Sequence, residues 1–309
     1  MPIRMSVMWC YTFNLLLCTL RMFNYRSDGE IALMFTLATV IENARLEMED
    51  YGVDNLTTFI RKNRVLNCYS ASYMKRGTSR LRIYDRDYYA KPGDLLIIPP
   101  NVVHDHIKDD NEETCFMWWD FNYKLYDTID VMSLQNFPIL FHVPNSCVFE
   151  QAFNRYLESL DKSEKVSDFI FREARALELV AILFDMIIDS GDGSFLNISH
   201  GAGVFLSIIS DVVQNMTEKG ILDMLSRKYG MHPNYISNRF KKLYGVTPVQ
   251  FQRRIRLKKA QEMLIGDTAS TVSEIAYNLG YECVADFTRF FKAQSGMAPL
   301  HYRNTNMKK

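Results

Sequence analysis

With 309 residues, 48% of them apolar and 23% charged, the chain has room for about two globular domains and lacks the bias of a fibrous or disordered protein. Its zero net charge conceals a split: from Lys219 onward there are 16 Lys and Arg against 6 Asp and Glu, leaving 20 against 30 in the preceding 218 residues. A basic C-terminal part behind an acidic front predicts one domain that meets a polyanion and another that does not.

The six cysteines (Cys10, Cys18, Cys68, Cys115, Cys147 and Cys283) form no CxxC pair and have no His at zinc-finger spacing. This argues against a disulfide framework or structural zinc and for a reducing, cytoplasmic setting. Residues 1–50 read as an N-terminal extension. Within it Met5–Leu20 is uncharged between Arg4 and Arg21, yet short for a bilayer span and without a small-residue cleavage site. A buried element or an over-extended translation start, with Met34 or Met48 as later starts, is the favoured reading; a membrane tether is the alternative.

Residues 51–148 read as a sensor domain whose β structure runs over 56–122. The runs Val65–Tyr73, Ser79–Tyr89, Asp94–Pro99 and Thr114–Phe121 are rich in β-branched and aromatic residues. Turn signals divide them at Lys75-Arg76-Gly77, Lys91-Pro92-Gly93, Pro99-Pro100-Asn101 and Asp109-Asp110-Asn111. Such closely spaced strands predict a small barrel or jelly roll. Gly93, Pro99, Asn101 and His104 follow the spacing of the second cupin motif, with Asn101 in place of its glycine, so this segment resembles a cupin barrel. No histidine precedes His104, so the family's earlier metal ligands are missing and no cofactor is expected. A metal-dependent cupin enzyme, its metal on His104, His106 and Glu112 or Glu113, is the alternative function. A small-molecule-binding protein without catalysis is another. If the barrel holds an effector, Tyr69, Arg82, Tyr84, His104 and Trp118 are the candidate lining, suited to a sugar or an organic acid.

From Phe149 the apolar period turns helical: Phe149, Phe153, Tyr156, Leu157 and Leu160, then Ala174, Leu177, Ala181, Phe184 and Ile188. Residues 149–189 are expected to be two antiparallel helices that cap the barrel or dimerise. Glycines and serines make 190–203 a linker.

The remainder, 204–305, carries an internal repeat. Leu225-Ser226, Gly230-Met231, Phe240-Lys241, Gly245 and Pro248 return as Ile275-Ala276, Gly280-Tyr281, Phe291-Lys292, Gly296 and Pro299. In each copy an amphipathic helix stops at a glycine, where a left-handed residue is wanted, and a second helix starts about three residues on. Pro233 suits the first position of one such helix. This is the form of a helix-turn-helix, present twice. With Val272-Ser273-Glu274-Ile275-Ala276, Asp286-Phe287, Arg289 and Tyr302-Arg303, the segment resembles the DNA-binding domain of AraC/XylS transcription regulators. The expected fold class is therefore α+β multidomain: a cupin-like β-barrel (jelly roll) followed by an all-α tandem helix-turn-helix domain.

In the first recognition helix Ile236, Phe240 and Leu243 face inward, which turns Asn234, Ser237, Asn238 and Lys241 outward. Alignment of the repeats gives Ala285, Thr288, Arg289 and Lys292 for the second. Asn234, Ser237, Asn238, Ala285, Thr288 and Arg289 are the candidate base readers, Arg289 for guanine and the asparagines for adenine. Lys241 and Lys292, with Arg253, Arg254, Arg256, Lys258 and Lys259 between the repeats, are the candidate phosphate contacts. The resemblance implies double-stranded promoter DNA as partner, a small-molecule effector, RNA polymerase, a homodimer, and activation as the commoner outcome.

Overall fold

The computed structural model describes residues 42–108, 112–134, 137–160, 165–189, 200–266 and 269–306. The segment Met5–Leu20 and the Asp109–Asn111 turn lie outside the described residues. The strands are β1 (Ala44–Leu56), β2 (Phe59–Arg64), β3 (Tyr69–Arg76), β4 (Ser79–Ile83), β5 (Arg86–Ala90), β6 (Asp94–Ile98), β7 (His104–Lys108), β8 (Thr114–Leu125), β9 (Ile129–Asp130) and β10 (Leu140–His142). The helices are α1 (Ser146–Glu158), α2 (Val166–Asp189), α3 (His200–Gln214), α4 (Ile221–Tyr229), α5 (Pro233–Tyr244), α6 (Pro248–Gly266), α7 (Val272–Asn278), α8 (Val284–Ser295) and α9 (Pro299–Asn306).

The strands form two antiparallel sheets rather than a closed barrel. One runs β1-β8-β3-β6-β10 with β9 added to β8; the other runs β2-β7-β4-β5. Met74, Leu96, Ile98 and Phe116 of the larger sheet meet Leu81, Ile83 and Ala90 of the smaller between them. The opposite face of the larger sheet is buried too. Tyr73, Trp119 and Phe121 there pack on Phe149 and Phe153 of α1, with Trp119 ring centroids 5.5 and 5.6 Å from the two. Burying each such aromatic contributes about 1.5–3 kcal/mol before ordering entropy is counted.

Three expectations need correction. The β structure does not begin at residue 56, nor the domain at residue 51: β1 starts at Ala44 and pairs with β8 from Ala44–Leu125 to Leu56–Thr114. The expected strand Ser79–Tyr89 is a hairpin, because Tyr84 and Asp85 both take positive φ (52° and 58°), as a two-residue turn requires. Gly201-Ala202-Gly203 is not linker but the first turn of α3.

The C-terminal part is organised by α6. Its Phe251 and Ile255 enter a core with Ile221, Leu225, Ile236 and Phe240 of α4 and α5. Its Ala260 and Leu264 enter a separate core with Ile275, Ala276, Leu279, Phe287 and Phe291 of α7 and α8. One helix thus supplies a wall to each helix-turn-helix. Side-chain amides and guanidinia fix its neighbours by covering helix-end carbonyls. Buried Gln252 donates to the carbonyls of Asn215 (3.2 Å) and Glu218 (2.7 Å). Arg303 donates to those of Leu264 (3.1 Å) and Ser270 (2.7 Å). Arg256 donates to the carbonyls of Met216 and Glu218 and lies 5.7 Å from the Tyr281 ring.

That inward commitment corrects the expectation that Arg256 meets phosphate. Replacing it with Ala should lower unfolding stability by about 1–3 kcal/mol, since two carbonyls lose a charged donor. In urea titrations followed by circular dichroism, an unchanged midpoint would contradict this role.

Candidate DNA interface and ligand site

Each helix-turn-helix is shaped by its turn. Gly230 ends α4 in the left-handed conformation (φ 64°). Gly280 does the same after α7 (φ 81°), and a Cβ there would stand 2.9 Å from the Thr217 Cβ, so both conformation and space demand glycine. Ser226 Oγ donates to the Met231 carbonyl at 2.7 Å across the first turn. Recognition helix α5 and the first helix of the second unit, α7, each start on a side-chain cap, whereas recognition helix α8 follows Cys283 with none. Before α5 the His232 ring accepts from the Asn234 N–H at 3.2 Å, with Pro233 at the first helical position. Before α7, Thr271 and Glu274 form a reciprocal capping box.

Helix α5 buries Ile236 and Phe240, which leaves Asn234, Ser237, Asn238 and Lys241 along its outer side. Helix α8 buries Phe287 and Phe291 and leaves Ala285, Thr288, Arg289 and Lys292 on its outer side. Thr288 and Ser237 are half-buried; the other six are exposed. Arg289 is 79% exposed, with Asp286 Oδ1 at 3.4 Å from its Nη1. Asp286 was not among the expected site residues; its place one turn before Arg289 was the signal. Exposed Tyr235 and Lys242 also belong to the outer surface of α5.

On α6, Arg253 and Arg254 are exposed. Lys258 and Lys259 are half-buried and already engaged: Lys258 Nζ meets Asp127 Oδ2 at 2.7 Å, and Lys259 Nζ meets Glu262 at 3.1 Å.

The five residues expected to line one effector pocket do not come together. Tyr69 stacks on Phe121 on the helix-covered face of the larger sheet. Exposed Arg82 and Tyr84 line a rim pocket of about 380 Å³ with His104, Asn63 and Asp105. Trp118 faces the space between the sheets, against the Phe116 cluster. In that space Trp118 and His104 are joined by Ser72 and Asp120, which sequence reasoning missed. Ser72 Oγ, Trp118 Nε1, Asp120 Oδ1 and His104 Nε2 are buried without a hydrogen-bond partner among the described residues. Ser72 pairs with Trp118, and Ser70 with Asp120, across the β3–β8 ladder. Arg64 Nη2 reaches from the smaller sheet to within 3.7 Å of Asp120 Oδ2.

Burial sets the charge state of this group. It raises the Asp120 carboxyl above its ordinary value, against the opposing effect of Ser70 and Arg64. It lowers His104, and pushes His106 down to about 3, so both rings are neutral. His104 Nδ1 lies 3.0 Å from the Val102 carbonyl, which assigns the proton to that nitrogen and leaves Nε2 an acceptor. His106 Nε2 is 3.1 Å from Ser79 Oγ. Among the described residues no group of three or more His, Cys, Asp or Glu is placed to hold a metal ion.

Comparison with known proteins accounts for both halves. Residues 55–180 match the family described as AraC-like ligand binding domain, and residues 225–305 match a helix-turn-helix domain family. The chain is similar to the HTH-type transcriptional regulator YisR of Bacillus subtilis, 24% identical over 254 residues, or 78% of this chain and 87% of YisR. It is 32% identical over 106 residues to the transposon Tn10 TetD protein of Escherichia coli, 33% of this chain and 75% of TetD. Among solved structures, ToxT of Vibrio cholerae aligns over 84% of this chain and 98% of its own, at 14% identity and a TM-score of 0.33. The chain belongs to the AraC family of helix-turn-helix DNA-binding transcription regulators, with an AraC-like ligand-binding domain ahead of its DNA-binding domain.

Proposed function

We propose that the protein is a one-component, cytoplasmic, non-enzymatic activator: its sandwich domain binds a small effector, and its α5 and α8 helices read two successive major grooves of a promoter. The observation that carries this reading is the outward face of α5 and α8, built by the same repeat and joined through one helix. Asn234, Ser237, Asn238, Ala285, Thr288 and Arg289 are the proposed base readers. Lys241, Lys292, Arg253, Arg254, Lys258 and Lys259 are the proposed phosphate contacts. Activation requires contact with RNA polymerase, as is common in the family.

The orphaned polar atoms between the sheets support an effector rich in hydroxyl groups, such as a sugar or polyol. His104 Nε2 and Asp120 Oδ1 need donors, Trp118 Nε1 needs an acceptor, and each group left unmatched costs about 1–3 kcal/mol. An organic acid would bring a second carboxylate to Asp120 and is disfavoured. Thermal unfolding in the presence of aldoses, polyols and short-chain carboxylates separates the two. A hydroxylated compound should raise Tm; stabilisation by the carboxylates alone would reverse the assignment.

The exposed stripe Val166, Ile170, Ala174, Leu177 and Ala181 on α2 supports a homodimer. Its spacing is that of a helix–helix seam, and Val166, Ile170 and Leu177 are 77%, 64% and 44% exposed. The occupant is a second α2, because one apolar stripe on a helix is self-complementary about a two-fold axis. Ile170→Glu should convert the dimer to monomer in sedimentation velocity; an unaltered distribution would refute the seam.

For the reader, Arg289→Ala should relax preference at one base pair by about 1–3 kcal/mol. Lys292→Ala should weaken all sequences alike and reduce the salt slope by about one. Binding measured on a promoter and its point variants at several salt concentrations checks both. Identical behaviour of the two variants would overturn the division of roles.

A further inference from the structure

The β8–β9 connection is a tight turn with non-glycine residues in an unfavourable conformation. Tyr126 and Asp127 have φ of 49° and 53°, and the Thr128 N–H closes the turn on the Leu125 carbonyl at 3.1 Å. Positive φ at both positions is what a tight hairpin turn requires, as at Tyr84 and Asp85. The side chains of this turn project onto α6 of the DNA-binding domain. Asp127 Oδ2 is 2.7 Å from Lys258 Nζ. Thr128 Oγ1 accepts from Arg254 Nη1 at 3.3 Å. The buried Tyr126 ring lies 6.0 Å from Lys259 Nζ and packs edge-on to Phe251, centroids 6.3 Å apart.

Arg254 and Lys258 are one helical turn apart, so the turn engages one face of α6. We propose that the Tyr126–Thr128 turn is a clasp: it occupies the cationic face of α6 in competition with the DNA backbone, and the protein binds DNA tightly only when the clasp lets go. This rests on the DNA-reading assignment above and adds its regulation. The clasp's carboxylate mimics one phosphate charge on Lys258, and its hydroxyl accepts from the Arg254 guanidinium as a phosphate oxygen would. Strand β8, which ends in the clasp, also carries Trp118 and Asp120 between the sheets, so the proposed effector site and the clasp lie on one continuous strand. The Asp127–Lys258 contact is exposed, the Asp127 side chain being 55% accessible, so it can open while the buried Tyr126–Phe251 packing stays in place.

The test is a double-mutant cycle in the full-length protein, with DNA affinity measured on a promoter fragment from low to high salt. Asp127→Asn should raise affinity by about 5-fold or more, the lower range of allosteric couplings, and steepen the salt slope by about one as Lys258 becomes free for phosphate. Removing a negative charge near DNA could raise affinity without any clasp, so the deciding readout is Lys258→Ala in both backgrounds. With a clasp, Lys258→Ala changes the wild type less than about 2-fold, because clasp and phosphate contact are lost together. In the Asp127→Asn protein it removes most of the gain. Additive effects of the two substitutions, or an affinity unchanged by Asp127→Asn, overturn the clasp while leaving the DNA reader intact. Failure of the wild type and every variant to bind duplex DNA sinks the reader assignment, and the clasp with it.

Discussion

Helix α6 is the constraint on which the DNA-binding half depends. A helix-turn-helix of two short helices cannot enclose a core by itself; each here borrows a wall from α6, Phe251 and Ile255 for one and Ala260 and Leu264 for the other. Because the lender is a single unbroken helix, the two recognition helices cannot turn independently without giving up buried apolar surface. The polar pins reinforce this. Gln252 and Arg256 both tie α6 to carbonyls of the 215–218 segment, and Arg303 ties α9 to the carbonyls of Leu264 and Ser270 at the other end of α6. Fixed spacing is what the proposed reading of two duplex turns by one chain, without internal two-fold symmetry, requires.

The ligand-binding half works from the opposite condition. Its larger sheet is buried on both faces, by the smaller sheet on one side and by α1 on the other. One end of its interior nevertheless holds Ser72, Trp118, Asp120 and His104 with unmet hydrogen-bonding capacity. A domain that buries polar groups at a cost to its own stability gains that stability back when a matching solute enters. The same strand that carries two of these groups reaches α6 through the Tyr126–Thr128 turn, so the two halves meet where α6 is most basic.

The helical half was largely legible in the sequence. Repeated glycines, the Phe-Lys pairs and a 3.6-residue apolar period each have one local cause, and the outward faces of α5 and α8 fall where that period places them. Arg256 was misread because a basic residue on a helix gives no sign of whether it faces solvent or a neighbouring carbonyl. The sensor was legible as strands, and of its orphaned polar group only Trp118 and His104 were anticipated. In β3 and β8 both faces are buried, so the alternation that separates pocket from packing disappears, and Tyr69 could not be told from Ser70 or Ser72. The one available signal was Asp120, a charge set within Trp118-Trp119-Asp120-Phe121. β1 escaped notice because Glu47, Glu49, Asp50 and Asp54 make it look like a solvated segment, which it is on one face of an edge strand.

The central claim is that α6 locks two readers at one spacing, and it is tested most directly by changing the spacing in the DNA. A bound promoter is first footprinted to find the two contacted grooves, and about 5 base pairs, half a helical turn, are then inserted between them. Affinity for the altered fragment should fall to that of unrelated DNA at the same salt concentration. Binding that survives the insertion undiminished would mean that the two units read DNA independently, and would contradict the account.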